Sequence, residues 1–125
     1  AITISAAARN DKYQLSSHIL DITTGRPAAG VIIELSKMGN DGRWIKTDER
    51  KTDENGRVRD FLVTGDGHDN RGIYKLTFHV RPYFEAMSQK SFYPFIDVVF
   101  EIVDDSHYHV PITLSPYGYS TYRGN

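Results

Sequence analysis

Short runs of alternating apolar and polar residues, separated by turn residues, extend along most of the chain. This alternation is typical of strands that bury one face, and seven such runs indicate an all-β sandwich. The pairs Asp41-Gly42 and Asn55-Gly56 predict tight hairpin turns, because these residue types reach positive φ easily. We expect strands at residues 15–21, 31–38, 44–52, 57–62, 72–80, 97–102 and 109–122.

Two segments depart from the strand pattern. Residues 83–90, with the sequence YFEAMSQK, combine good helix formers and follow Pro82, so they predict one short surface helix. Residues 1–13 are small and polar and show neither helical nor strand periodicity, so they predict a flexible N-terminal arm. Residues 14–125 then form a single domain, because no repeat, low-complexity tract or linker interrupts them.

Composition narrows the classes of function. Fifteen Lys and Arg residues against sixteen Asp and Glu residues give the 125-residue chain a formal net charge of −1. This balance lacks the broad positive field that binds nucleic acid or an anionic membrane, so we expect neither partner. No apolar run reaches the roughly 20 residues of a membrane helix. Because the chain has no cysteine, covalent or metal chemistry must use Ser, Thr, His and carboxylates.

His107 and His109 are the strongest candidates for chemistry. Two residues apart on a strand, their imidazoles face the same side, while Tyr108 faces the other. A neutral imidazole can accept a proton from water at neutral pH, and two of them can also bind a metal ion. The spacing therefore leaves three interpretations open: a general base, a metal site, and a structural pair without chemistry.

Three other features become functional only if folding brings them to this pair. His18 shares one face of its strand with Ser16 and Leu20. Arg57 follows the second hairpin turn directly, which places its guanidinium at the root of a strand, where it could bind an anionic or enolic substrate. The C-terminal residues SPYGYSTYRGN concentrate tyrosines, which indicates that the chain end packs against the core or another subunit.

Four sequence blocks together resemble the transthyretin-like proteins, and specifically their 5-hydroxyisourate hydrolases. The blocks are SSHILDITTGRPAAGV, TDENGRV, SFYPF and HYHVPITLSPYGYSTYRGN, and they span Ser16 to Asn125 in family order. HYHVP and the terminal YRG distinguish the hydrolases from the hormone-carrying transthyretins. The resemblance implies a transthyretin-like β-sandwich of two four-stranded sheets with one short helix. It also implies a homotetramer of two dimers, with active sites in the channel between the dimers.

The resemblance also assigns site residues, and it implies neither a metal ion nor a cofactor. It implies a catalytic set and a substrate-binding set. The catalytic residues are His18, Arg57 and His109, and the substrate-binding residues are His107, Tyr122, Arg123 and Gly124. One position departs from the family pattern, since the usual terminal YRGS is here YRGN. Asn125 can donate and accept hydrogen bonds but cannot act as a nucleophile, so we assign it no catalytic role.

The reaction that the resemblance implies is hydrolysis of a ring amide. One histidine, either His109 or His18, would take a proton from water that attacks 5-hydroxyisourate, while Arg57 would stabilise the oxyanion. The product would be 2-oxo-4-hydroxy-4-carboxy-5-ureidoimidazoline, an intermediate of urate degradation. Two alternatives remain open here. One is a zinc-binding protein that uses His18, His107 and His109, and the other is a non-catalytic carrier of a small aromatic ligand.

The compartment is an expectation only. The chain ends without SKL, and Asp11 stands where the N-terminal peroxisomal pattern has a basic residue, seven positions before His18. We therefore expect a cytoplasmic protein, with the peroxisome and the periplasm as alternatives, since members of the resembled family occur in all three.

Overall fold

The computed structural model describes residues 12–125, so the predicted arm lies, except for residues 12 and 13, outside the described residues. Within this range two β-sheets pack face to face, with one short helix at their edge. The strands and the helix follow each other as β1 (Tyr13–Asp21), β2 (Arg26–Pro27), β3 (Ile32–Met38), β4 (Trp44–Lys51), β5 (Arg57–Val63), β6 (Gly72–Phe78), α1 (Val80–Glu85), β7 (Ile96–Ile102), β8 (Tyr108–Ser115) and β9 (Gly118–Thr121).

The first sheet is built around β1. On one side β1 pairs in parallel with β8, which in turn pairs antiparallel with β9. On its other side β1 pairs antiparallel with β5, and its end also pairs with the two residues of β2. The second sheet is antiparallel with the order β4-β3-β6-β7. The predicted β-sandwich is confirmed, and the first sheet has five strands rather than four because the short β2 joins it.

The core forms where the alternating apolar residues of the two sheets meet. In β1, Leu15 and Ile19 are fully buried, while Ser16 and His18 on the other face of the strand are half-buried, as the period of two predicts. The second sheet contributes large side chains to the same interior, among them Leu35, Leu76 and Phe78. Burial of this apolar surface is the main force that holds the sheets together, and it leaves the polar face of β1 pointing outward.

A buried carboxylate attaches α1 to the first sheet. Asp21, at the end of β1, is fully buried and accepts a hydrogen bond of 2.8 Å from the Tyr83 hydroxyl and one of 2.9 Å from the Thr23 backbone N–H. Burial and the hydrogen bond to Asp21 raise the pKa of Tyr83, so the phenol stays protonated and keeps donating. No helix in residues 12–125 is long and apolar enough to span a membrane.

The helix and the C-terminal strand differ from their predictions. The helix begins at Val80 rather than Tyr83, because Pro82 fits the first turn, where its missing N–H needs no partner. It ends at Glu85, and Ser88 just beyond it adopts a left-handed conformation at φ 57°. The single strand predicted at 109–122 is a hairpin, since β8 turns back after Ser115 to form β9. The other predicted strands differ by at most two residues at either end.

Gly56 is essential to the hairpin turn before β5. Its φ is +71°, and a Cβ there would lie 2.7 Å from the Ile19 carbonyl oxygen, inside van der Waals contact. Its own carbonyl accepts the Ile19 N–H at 2.9 Å, so the turn lies directly against β1. Only glycine satisfies both the positive φ and this close approach.

We expect Gly56→Ala to destabilise the protein more than Gly25→Ala. Both residues have φ between 70° and 80°, but a Cβ at Gly25 meets nothing within 4 Å. Gly25→Ala should therefore cost about 1 kcal/mol for the left-handed backbone alone. Gly56→Ala should add the clash with β1. Urea unfolding measures both variants, and equal shifts of their midpoints would contradict the close approach.

Candidate active site

The outer face of the first sheet brings the predicted catalytic side chains together. In the parallel pair β1–β8, Ser16 lies opposite His109, and in the antiparallel pair β1–β5, His18 lies opposite Arg57. Side chains opposite each other in neighbouring strands share a face, so all four side chains project from the same side of the sheet. His107, just before β8, adds a fifth polar group at the same face, because it is two residues from His109.

The electrostatics show that these groups lie within range of one another. Burial lowers the pKa of His18, and the nearby Arg57 guanidinium lowers it further, while a hydrogen bond to the Asn55 backbone opposes the shift. Asp53 and Arg59 make smaller contributions of opposite sign. A neutral imidazole is therefore favoured at His18.

His109 is shifted further in the same direction. Burial lowers the pKa of His109 most, and together with the positive charge of Arg57 and the imidazoles of His18 and His107 it brings the value to about 4. At neutral pH the ring is therefore unprotonated at one nitrogen and able to accept a proton. These shared interactions bring His18, Arg57, His107 and His109 together on one face of the sheet, while their roles in catalysis and binding stay predictions.

A turn built around Asp53 holds Arg57 in place. Asp53 Oδ1 accepts the backbone N–H of Asn55 at 2.8 Å and that of Arg57 at 2.9 Å, and these hydrogen bonds lower the pKa of the carboxyl. The Asp53 N–H in turn donates to the Arg57 carbonyl at 3.0 Å. Our sequence reasoning did not select Asp53, although an Asp two residues before an Asn-Gly pair is a frequent signal for such a turn.

Ser16 is the second residue that the sequence reasoning did not select. Its hydroxyl oxygen lies 2.9 Å from His107 Nε2 and 2.8 Å from His109 Nδ1, so it connects the two imidazoles. His107 Nδ1 also lies 3.0 Å from the Tyr13 carbonyl oxygen. The available signal was the spacing of Ser16 and His18 on one face, but the contact with β8 depends on strand pairing.

The C-terminal segment lies directly against His109. The Gly124 N–H donates to the His109 carbonyl at 2.8 Å, and the two residues form an isolated antiparallel bridge. A Cβ at Gly124 would lie only 2.5 Å from His109 Cδ2, so glycine allows the backbone to cover the ring. Gly124 thus contributes to the burial that keeps His109 neutral.

The two residues before Gly124 have different surroundings. The Arg123 guanidinium lies over the Tyr108 ring, 4.1 Å from its centroid, and donates to Ser106 Oγ at 3.1 Å. These contacts anchor the C-terminal segment to the loop before β8. Tyr122 is 60% exposed on the single chain. The substrate-binding roles of His107, Tyr122, Arg123 and Gly124 stay predictions.

The alternative zinc site finds no support in this arrangement. Among residues 12–125, no group of three or more His, Asp or Glu side chains is placed to hold a metal ion. The Ser16 hydroxyl contacts one nitrogen of each ring of His107 and His109, so these two nitrogens are engaged in hydrogen bonds. The site is therefore suited to proton transfer and to binding an anion or an oxyanion.

Comparison with known proteins gives the class. The sequence profile described as the HIUase/Transthyretin family matches residues 15–124, which is most of the chain. The chain therefore belongs to the HIUase/Transthyretin family. A probable 5-hydroxyisourate hydrolase of Caenorhabditis elegans is 48% identical over 112 residues, which cover 89% of this chain and 81% of that protein.

Solved structures of both a 5-hydroxyisourate hydrolase and a transthyretin are similar to the fold of this chain. The 5-hydroxyisourate hydrolase of Klebsiella pneumoniae superimposes with a TM-score of 0.74 at 33% identity, covering 90% of this chain and 94% of that one. Sea bream transthyretin in complex with thyroxine gives a TM-score of 0.80 at 26% identity, covering 89% and 94%. Overall shape therefore does not separate an enzyme from a carrier, and the site residues must do so.

We expect Arg57→Gln to raise the pKa of His109 from about 4 towards its ordinary value of 6.5. Removing a positive charge near the ring makes protonation easier, so the direction is upward. NMR titration of the His109 ring protons measures the change. Arg59→Gln is the matched control, because Arg59 acts on His18 but is not among the groups that shift His109. Equal titration of His109 in both variants would refute the role of Arg57.

Proposed function

We propose that this protein is an enzyme that hydrolyses 5-hydroxyisourate, by attack of water on a ring carbonyl. The observation that carries the proposal is a half-buried imidazole, His109, that stays neutral beside a permanently charged guanidinium, Arg57. A base and an oxyanion-stabilising cation within interaction range are the two groups that amide hydrolysis without a metal requires. The relatives named as 5-hydroxyisourate hydrolases, in worms and bacteria, support this substrate.

His109 is the better candidate for the general base. Its Nδ1 is engaged with the Ser16 hydroxyl, so Nε2 is the ring nitrogen left to interact with a water molecule. His18 is also shifted towards the neutral form, but a hydrogen bond to the Asn55 backbone engages its ring. We assign proton abstraction from water to His109, and orientation of the substrate to His18.

Arg57 would act on the carbonyl oxygen. As water adds to the ring carbonyl, negative charge develops on that oxygen, and a planar guanidinium can donate two parallel hydrogen bonds to it. Asp53 is hydrogen-bonded to both the N–H and the carbonyl of Arg57. These two bonds limit the motion of the backbone from which the Arg57 side chain extends. The tetrahedral intermediate then collapses, the ring C–N bond breaks, and the nitrogen takes the proton that His109 removed from water. The carboxylic acid that forms then ionises to give the open carboxylate.

The carrier alternative is weaker. Sea bream transthyretin binds thyroxine with the same fold, so the fold permits a carrier. However, burial lowers the pKa of both His18 and His109, and this keeps neutral two rings that would be partly protonated near neutral pH in water. A pocket for an apolar hormone gains nothing from such desolvated titratable groups, whereas a hydrolase uses them.

We also propose that four copies assemble, as two dimers, around this face. The edge strands β7 and β9 each have one partner strand within residues 12–125. Both edges lie on the same side of the sandwich, because the Phe92 N–H donates to the Pro116 carbonyl and the Tyr93 ring packs on Tyr119. Unpaired edges of this kind are commonly covered by a symmetric copy. The histidine face is open on one chain, and a second dimer would enclose it.

Replacing one catalytic group should disable turnover without unfolding the protein. We expect His109→Gln to lower kcat by about 10²–10⁴, the usual contribution of a general base. Arg57→Gln should lower kcat strongly as well, because the oxyanion loses its donor. The measurement is the absorbance decay of freshly generated 5-hydroxyisourate.

His68→Gln is the matched control, because His68 is an exposed histidine in the loop before β6 and is not among the groups that shift the pKa of His18 or His109. Its rate should equal that of the unmodified protein. Normal turnover by His109→Gln would exclude His109 as the base. Tight binding of thyroxine without decay of 5-hydroxyisourate would favour the carrier instead.

The assembly can be tested at the β7 edge. Val99 on β7 is 57% exposed, and in a symmetric antiparallel pairing of two β7 strands Val99→Glu would bring like charges close together. We expect sedimentation to give a mass four times that of one chain, and a smaller species for Val99→Glu.

Ile45→Glu serves as the control for added charge. Ile45 is 58% exposed on β4, at the opposite edge of the same sheet, so its variant should keep the full mass. A monomer at micromolar concentration for the unmodified chain would disprove the tetramer.

A further inference from the structure

Four polar groups form a continuous chain of hydrogen bonds that ends at His109. The Tyr13 carbonyl oxygen lies 3.0 Å from His107 Nδ1, and His107 Nε2 lies 2.9 Å from Ser16 Oγ. Ser16 Oγ then lies 2.8 Å from His109 Nδ1. Each contact is a hydrogen bond. The donor of each one can be assigned, because the Tyr13 carbonyl at the start of the chain can only accept.

The carbonyl of Tyr13 sets the direction of the whole chain. A carbonyl has no proton, so His107 Nδ1 must carry the hydrogen that joins them. A neutral imidazole has one N–H, so His107 Nε2 is then an acceptor, and the Ser16 hydroxyl donates to it. The Ser16 oxygen is left to accept, and His109 Nδ1 must donate to it.

We propose that Ser16 is a positioning residue that holds His109 as the tautomer with its proton on Nδ1, which leaves Nε2 free to take a proton from water. The inference rests on the proposed hydrolysis, because it concerns the base of that reaction. Which ring nitrogen carries the proton of a neutral histidine is set by the hydrogen bond at the other nitrogen. The other tautomer would present an N–H to the water and could not act as a base.

The charges around His109 leave its tautomer as the property that decides whether it can act as a base. Arg57 from β5, His18 from β1 and His107 all disfavour a second proton on the ring, so the ring stays neutral.

The neighbouring serine shows why position decides this role. Ser17, next in β1, points inward, is almost fully buried, and donates to the Val110 carbonyl at 2.8 Å. It has the same hydroxyl and bridges the same two strands, but it contacts neither imidazole. Ser17→Ala is therefore a matched control for loss of a hydroxyl between β1 and β8.

The first test reads the tautomer directly, without substrate. In the full chain labelled with ¹⁵N in histidine, NMR at neutral pH distinguishes a protonated Nδ1 from a protonated Nε2. We expect His109 to have its proton on Nδ1 in the unmodified protein and in Ser17→Ala. Ser16→Ala should shift His109 towards protonated Nε2, and Ser16→Thr, which keeps the hydroxyl, should restore the original state.

The second test is kinetic. Ser16→Ala should lower kcat about 10- to 100-fold with little change in KM. The substrate contacts remain, but His109 is then the tautomer with its proton on Nε2, which cannot take a proton from water. Ser16→Thr should recover most of kcat. Urea midpoints for each variant show that the protein remains folded.

The outcomes separate this inference from the proposed function. If His109 in the unmodified protein has its proton on Nε2, or if Ser16→Ala leaves the tautomer unchanged, the role of Ser16 is wrong. If the tautomer behaves as expected but the unmodified protein does not consume 5-hydroxyisourate, the substrate is wrong and the positioning by Ser16 stands. A loss of kcat in Ser17→Ala equal to that in Ser16→Ala would show that only strand packing is involved.

Discussion

The parallel pairing of β1 with β8 is the constraint on which the rest of the site depends. Its register sets Ser16 beside His109, and the burial of Leu15 and Ile19 fixes that register. A shift by one residue would turn these side chains to solvent and move His18 into the core. The hydrophobic interior therefore specifies the position of the histidine face, although its own residues lie on the other side of the sheet.

Arg57 and the C-terminal segment act on the same imidazole in complementary ways. The guanidinium supplies a permanent positive charge, and Gly124 covers the ring of His109 and removes water from it. Both effects disfavour a charged histidine, so the base is available far below neutral pH. Arg123 secures this cover by lying over Tyr108 at the start of β8 and by donating to Ser106 in the loop before it. The end of the chain is thus part of the site's electrostatics.

Hydrolases and transthyretins in this family have nearly the same fold, so function depends on a few side chains. The sandwich, its edges and its tyrosine-rich C-terminus would serve a carrier equally well. In this chain the outer face of the first sheet carries a group of desolvated imidazoles around an arginine. Such groups oppose folding at low pH, because the unfolded chain binds protons that the folded site excludes. Their presence in this sheet is therefore best explained by chemistry.

The sequence by itself determined most strands, the two hairpin turns and the histidines and arginine of the site, because these follow from local alternation, turn chemistry and recognisable motifs. It did not reveal the helix bounds or the turn after Ser115, which depend on Pro82, Ser88 and strand pairing. Ser16 and Asp53 were also missed. A serine and an aspartate are common on strands and in turns, and only pairing between segments distant in sequence brings Ser16 to two imidazoles. Tertiary structure decided the site because hydrogen bonds of about 3 Å require a register that no local pattern encodes.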